Sequence, residues 1–132
     1  MNIWLKPNKI QGKVEGRYRH SASATSSALY VFGGINQEQK RFNDVHEFVF
    51  QTQVWTRRIA IDNFEPSTRT FHQSIIFSDE NWLYVFGGFD GNKTNDVYRA
   101  KVQFLSSQAQ AQLASPQIDV SLDPEESKEP SQ

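Results

Sequence analysis

The chain contains an internal repeat. Five residues of its first half recur 52 positions later with the same identity, namely Arg17, His20, Asn43, Asp44 and Val45, matched by Arg69, His72, Asn95, Asp96 and Val97. Between these anchors the hexapeptide 29–34 recurs unchanged as 83–88, at a spacing of 54. A register that shifts by two residues and then recovers is typical of fixed strands joined by loops of variable length. The repeat therefore predicts two similar structural units.

Each unit has the pattern of short β-strands. Its apolar segments are rich in Val, Tyr, Phe and Ile and are separated by clusters of Gly, Asn, Asp and Ser. The Gly33-Gly34 and Gly87-Gly88 pairs come where a strand ends and the backbone must turn sharply or approach a neighbour closely. Four short antiparallel strands in about 50 residues make one blade of a β-propeller. The predicted strands cover residues 20–25, 29–32, 44–50 and 53–57 in the first unit and 72–77, 83–86 and 96–102 in the second.

The ordered pattern resembles a known family. Arg-x-x-His, then Leu-Tyr-Val-Phe-Gly-Gly, then Asn-Asp-Val and a closing Trp resemble the kelch repeat, and the resemblance covers about residues 3–104. The Asn-Asp-Val-His-Glu-Phe segment is similar to kelch repeats of leucine-zipper-like transcriptional regulator proteins and related multi-kelch proteins. The resemblance implies an all-β fold of kelch-type β-propeller blades, each of four antiparallel strands. It also implies that the chain binds another protein.

The resemblance divides the chain into four parts. Residues 17–57 form kelch repeat 1, and residues 58–104 form kelch repeat 2, which lacks its last strand because Ser107 takes the place of a closing Trp. Residues 1–16 are predicted to be an orphan blade strand and linker. Trp4 lies 13 residues before Arg17, much as Trp55 lies 14 before Arg69. The N-terminal segment is thus predicted to be the fourth strand of a blade outside this chain.

The C-terminal part, residues 105–132, differs in composition. It holds five carboxylates against one lysine and none of the 17 aromatic residues. Such a segment buries too little apolar surface to offset the entropy of ordering, so it is predicted to be a disordered acidic tail. A short helix over residues 107–114 is the alternative, and at that length it needs docking to be stable.

Two blades make an incomplete propeller, because closed rings need about four to eight. If each open face exposed roughly 400 Å² of apolar surface, about 25 cal/mol/Å² gives on the order of 10 kcal/mol per face. Such a face needs a cover. Three interpretations remain open: copies of the chain associate to complete a ring, the chain docks on another propeller, or it is a fragment of a larger kelch protein without independent activity.

Composition excludes several other classes. The net charge of -1 gives no case for nucleic-acid binding. No apolar run is long enough for a membrane span, and the first residues lack a secretory pattern, so a cytoplasmic protein without membrane contact is expected. The lack of cysteine excludes disulfides, Cys-based zinc sites and a cysteine nucleophile. No motif indicates a catalytic residue, a metal ligand or a cofactor, and the enzyme alternative, a copper-radical oxidase as in some kelch-fold propellers, conflicts with the missing cysteine.

The residues that recur are predicted to maintain the blade, as a hydrogen bond at the start of an inner strand would. They are Trp4, Arg17, His20, Gly33, Gly34, Asp44, Trp55, Arg69, His72, Gly87, Gly88 and Asp96.

A partner is predicted to bind the connecting loops. Loops 35–42, 58–68 and 89–94 share one face of a kelch blade pair, and exposed arginine and aromatic residues are the usual anchors of protein interfaces. The predicted anchors are Arg41, Phe42, Arg58, Phe64 and Phe89. In the alternative, the phenylalanines only pack the loops. The sequence thus favours an interaction module or scaffold, with the role of substrate adaptor in a larger complex, such as a ubiquitin ligase, as one form of it.

Overall fold

The computed structural model describes residues 2–58, 65–77, 79 and 81–102. They form seven antiparallel strands in two sheets, and the all-β prediction is confirmed. The first sheet, blade 1, holds β1 (Ser21–Ala24), β2 (Ala28–Phe32), β3 (Val45–Val49) and β4 (Val54–Arg58). The second, blade 2, holds β5 (Gln73–Phe77), β6 (Trp82–Phe89) and β7 (Lys93–Lys101). Phe64 and the predicted tail, residues 105–132, lie outside the described residues.

Both sheets are simple meanders in which each strand pairs with the next along the chain. Equivalent residues occupy equivalent register positions: Phe32 lies opposite Val45 in blade 1, and Phe86 lies opposite Val97 in blade 2. The four-stranded blade and the blade with three described strands confirm the prediction of two kelch-type blades that form an incomplete propeller.

The two Gly-Gly pairs differ in their setting, and here the strand prediction was wrong for the second repeat. β2 ends at Phe32 as expected, whereas β6 continues through Gly87 and Gly88 to Phe89. A register shift between Phe86 and Gly88 accommodates the glycines, and β7 already begins at Lys93. The reason is the shorter connection in repeat 2, which closes as a tight hairpin.

The blades pack face to face. Side chains of one strand alternate between two faces, so cross-strand pairing places one set of blade 1 residues toward blade 2. We call this the trailing face of blade 1, formed by Ser23, Tyr30, Phe32, Val45 and Glu47. It meets the leading face of blade 2, formed by Ser74, Ile76, Leu83, Val85 and Ala100. Across the junction Ala28 and Tyr30 share a buried cluster with Leu83 and Val102.

The opposite faces are the outer ones. The leading face of blade 1 contains Ala22, Leu29, Val31, His46 and Phe48, and the trailing face of blade 2 contains Ile75, Phe77, Tyr84, Phe86 and Val97. Phe32 is 2% exposed, whereas its counterpart Phe86 is 55% exposed. The trailing face of blade 1 is therefore covered by blade 2, whereas the equivalent trailing face of blade 2 is exposed.

The N-terminal segment lies along the outside of blade 1. Gln11 forms a parallel bridge with Val54 of β4, and residues 2–10 are exposed. Trp4 is 98% exposed and belongs to no strand in the described part of the chain. Its predicted place in a blade outside this chain remains a prediction. Among the described residues, no helix has the length and apolar character needed to cross a bilayer.

Candidate functional site

An arginine and an aspartate hold each blade together at its loop end. Arg17 Nη1 donates to Asp44 Oδ1 at 2.5 Å and to the Gly33 carbonyl at 3.1 Å. In blade 2, Arg69 Nη1 donates to Asp96 Oδ1 at 2.6 Å and to the Gly87 carbonyl at 3.0 Å. We call each of these arginine–aspartate pairs a clamp. Each clamp joins the segment before the first strand of its blade to the Gly-Gly corner and to the Asn-Asp segment at the third strand.

Burial makes these clamps structural. Arg69 is fully buried, and a buried guanidinium needs such partners because leaving it unpaired is costly. Burial raises the pKa of Asp44, but hydrogen bonds from Arg17 and His46 outweigh it and hold that pKa below its usual value. The pairing of these arginines with these aspartates was not predicted from the sequence. The available signal was their identical spacing of 27 residues in both repeats.

A histidine joins the two blades. His72 precedes β5, and its Nε2 lies 3.0 Å from the carbonyl oxygen of Phe32 on blade 1. Its ring stands edge-on to the Phe32 ring, with centroids 5.0 Å apart. A Cβ on Gly33 would lie 2.7 Å from His72 Cε1, so the ring requires glycine there. Burial lowers the pKa of His72, which favours the neutral ring. In the tautomer that carries its proton on Nε2, the ring donates a hydrogen bond to the Phe32 carbonyl oxygen.

The connecting loops of the two blades meet on one face. The Arg41 guanidinium lies 5.1 Å from the centroid of the Phe89 ring, and Arg41 Nη1 donates to the Asp90 carbonyl at 3.4 Å. Ser67 Oγ, from the loop before blade 2, donates to Asp90 Oδ2 at 2.7 Å. Arg41 and Phe89 are both partly exposed. This cation–π pair therefore spans the junction of the two blades at the surface.

The other three predicted anchors are placed differently. Phe42 is only 7% exposed because the Arg17 guanidinium covers its ring at 4.1 Å. Arg58 forms a two-point ion pair with buried Glu47, at 2.5 and 3.2 Å. Phe64 lies outside the described residues. In this arrangement Phe42 packs its loop, and Arg58 neutralises a buried carboxylate.

A second group of residues on the loop face was not predicted from the sequence. The Arg19 guanidinium lies 4.5 Å from the Phe71 ring centroid and 5.2 Å from that of Tyr18. Arg19 and Phe71 occupy matched positions in the two repeats, and both have positive φ, 56° and 58°. A left-handed backbone costs a non-glycine residue about 1–2 kcal/mol, and such outliers cluster at functional sites. Their matched position directly before each histidine was the only available signal.

Backbone bridges join this group to the Arg41–Phe89 pair. Tyr18 bridges Ile35, Ile35 bridges Arg41, and Thr70, next to Phe71, bridges Phe89. We call the combined area the loop surface, formed by Tyr18, Arg19, Arg41, Phe71 and Phe89. Phe71 is 62% exposed. Stacked arginines and backbone bridges hold these rings in place. The aromatic side chains of the loop surface would therefore lose little conformational entropy when a partner binds.

A cavity of about 200 Å³ lies between the outer strands of the two blades. Leu83, Val85 and Ala100 form its apolar wall, and Arg57 and Arg99 lie at its polar side. Ala100 matches Phe48 of blade 1, whose ring centroid lies 5.0 Å from that of Trp55. The cavity thus lies at the position in blade 2 that corresponds to the Phe48–Trp55 pair of blade 1. The described part of blade 2 has no such aromatic pair.

No group of three or more His, Cys, Asp or Glu side chains is arranged to hold a metal ion within residues 2–58, 65–77, 79 and 81–102.

The meander blades, the Gly-Gly corners and the repeated clamp define a class, the repeat-built β-propeller proteins. The sequence profile of the KLHDC2/KLHL20/DRC7 Kelch-repeats domain matches residues 1–118. The chain belongs to the kelch-repeat family.

Several kelch-repeat proteins are similar to this chain. The chain is 34% identical to mouse Kelch domain-containing protein 1 over 91 residues, which cover 67% of this chain and 22% of that protein. It is 30% identical to human Kelch domain-containing protein 3 over 126 residues, 89% of this chain and 31% of that protein. The Drosophila melanogaster Leucine-zipper-like transcriptional regulator 1 homolog is 30% identical over 89 residues, 62% and 9% of the two chains. This chain thus spans less than a third of each of these relatives.

Proposed function

We propose that this chain is a non-catalytic protein-interaction module that binds a partner protein through the loop surface. Kelch-repeat domains are generally interaction modules. The observation that carries the proposal is the exposed aromatic and arginine set of the loop surface, held in place by stacking. Aromatic and arginine side chains dominate the binding energy of protein interfaces. The mixture suits a partner segment with apolar side chains and carboxylates.

A wider role follows from this binding. A module that holds one protein through its loops and is itself part of a larger assembly acts as a scaffold, or as an adaptor that presents a client to an enzyme such as a ubiquitin ligase. We place this role in the cytoplasm. The family membership supports only the binding function, and the adaptor role is our extension of it.

The test compares variants of the 132-residue chain as bait. The double substitution Phe71→Ala, Phe89→Ala should abolish capture of the main bound protein, because loss of two anchors of about 1–2 kcal/mol each lowers affinity roughly 30-fold or more. The control Phe50→Ala removes an exposed ring at the β3–β4 turn, away from the loop surface, and should capture normally. Circular dichroism checks folding. If both baits retain the same protein equally, the loop surface is not the binding site.

A second partner is another copy of this chain. The observation that favours it is the trailing face of blade 2, where Ile75, Phe77, Phe86 and Val97 are all about half exposed or more. We infer that copies associate to complete a propeller ring. In the ring, the segment around Trp4 of one copy lies beside β7 of its neighbour, with the indole opposite Ala100 in the cavity. In the alternative, further blades of a longer kelch protein cover this face.

Light scattering during size-exclusion chromatography tests the assembly. A six-bladed ring requires three copies, so the expected mass is three times 15.2 kDa. A folded particle that stays at 15.2 kDa at the highest soluble concentration would refute association of copies and favour the fragment of a longer propeller.

A further inference from the structure

The contact between the blades is asymmetric. Blade 2 supplies the His72 ring, and blade 1 supplies the Phe32 carbonyl and the bare Cα of Gly33. The His72 ring fits only because Gly33 lacks a Cβ and has φ 64°. Each blade therefore has a histidine on its leading side and an acceptor corner on its trailing side.

Each half of this contact recurs once more among the described residues, without a described counterpart. His20 matches His72 but is exposed, and it makes no side-chain hydrogen bond with any described residue. At the other end, Phe86 and Gly87 match Phe32 and Gly33. A Cβ on Gly87 would meet only the Thr94 carbonyl, with no histidine near it.

Both halves already have the backbone geometry of the docked contact. A Cβ on Gly34 would lie 2.9 Å from His20 Cβ, and one on Gly88 would lie 2.9 Å from His72 Cβ, so the same corner positions both histidines. The acceptor corners also match, because φ is 62° at Gly87 and 64° at Gly33. Neither half requires a backbone rearrangement before it engages.

We propose that a second copy of this chain docks head to tail on blade 2, with its His20 ring seated against Gly87 and its ring N–H donated to the Phe86 carbonyl. The exposed Phe86 ring then contacts His20 edge-on, as Phe32 contacts His72. This inference rests on the proposed assembly of copies and identifies the contact that orients it.

The occupant is a copy of this chain because the same chain carries both complementary halves. Such an interface is heterologous, because the surface used on one copy differs from that used on the next. The repeated contact closes into a ring when the rotation between copies divides a full turn. The small residue Ala22, next to His20 on the leading face of blade 1, matches Ser74, which meets Ser23 across the existing blade junction. A close approach is therefore possible at both junctions.

The test uses two chains that are each blocked at one end. Ala22→Arg places a charge on the leading face and leaves Gly87 free. Phe86→Arg places a charge on the trailing face and leaves His20 free. Both sites are exposed, so both chains should fold by circular dichroism and sediment as monomers. An equimolar mixture should form a one-to-one pair, because one free end of each kind is present.

Adding His20→Ala to either chain gives the decisive comparison. In the Phe86→Arg chain it removes the ring that docks, and pairing should weaken about tenfold or more. In the Ala22→Arg chain the same substitution lies at the blocked end, and pairing should be unchanged. Equal pairing of both mixtures would overturn the His20 contact while leaving assembly intact. A wild-type chain that remains monomeric would refute the proposed assembly itself, and the contact with it.

Discussion

The glycine at the blade junction offers a comparison within one chain. Gly33 and Gly87 are matched residues with nearly equal positive φ, 64° and 62°. Alanine at either position incurs the same backbone penalty of about 1–2 kcal/mol. Only Gly33 faces the other blade, where a Cβ would lie 2.7 Å from His72 Cε1 and 2.9 Å from the Arg69 carbonyl oxygen.

The steric difference sets the expected magnitude. Overpacking of a close-packed contact costs about 1–3 kcal/mol, so Gly33→Ala should reduce the free energy of unfolding by about 1–3 kcal/mol more than Gly87→Ala. The Arg69 carbonyl belongs to the backbone and cannot move aside like the end of a flexible side chain. The penalty therefore cannot be relieved by a rotamer change alone.

Urea denaturation followed by tryptophan fluorescence measures this difference. Both substitutions are made in the Ala22→Arg chain, which is expected to be monomeric, so that association does not contribute to the result. The midpoint should fall further for Gly33→Ala with an unchanged slope. Equal destabilisation by the two substitutions would refute the argument that the His72 contact requires glycine.

Three further predictions concern other contacts. Arg58→Met removes the ion-pair partner of buried Glu47 and should lower the free energy of unfolding by about 3 kcal/mol in urea denaturation. Adding Glu47→Gln should recover most of this loss, and no recovery would contradict the pairing. Because the pKa of His72 is lowered in the folded chain, the unfolded chain binds a proton at a higher pH, near 6.5. The free energy of unfolding should therefore fall between pH 7 and pH 5, and this dependence on pH should be smaller in His72→Asn. Trp4→Ala should leave monomer stability unchanged, since the side chain is 98% exposed, but should lower the assembled mass; an unchanged mass would exclude strand exchange.

Most of the strands were predictable because their local signals appear twice, once in each repeat. Three signals can be read along the chain: short apolar segments such as Ile75-Ile76-Phe77, the Gly-Gly corners and the shared 52-residue spacing. The extension of β6 to Phe89 was not predictable. It depends on the closure of a hairpin whose loop is two residues shorter than in repeat 1, and this is a property of the paired strands β6 and β7.

The candidate site was less accessible to sequence reasoning. Arg41, Phe42 and Phe89 look equivalent along the chain, and only packing shows that Phe42 is covered by Arg17 while the other two remain at the surface. Phe71 was overlooked because its exposure depends on a left-handed backbone that no local pattern announces. Burial and long-range pairing are set by contacts between distant segments, so they follow from the fold.

The repeat carries both halves of the blade junction, the histidine at its start and the Phe-Gly corner in its middle. A tandem duplication of one such gene segment would therefore yield a blade that already fits the blade before it and the blade after it. Loss of one segment would likewise leave two ends that still match. The number of blades can change by whole units in evolution without compensating substitutions at the new junctions.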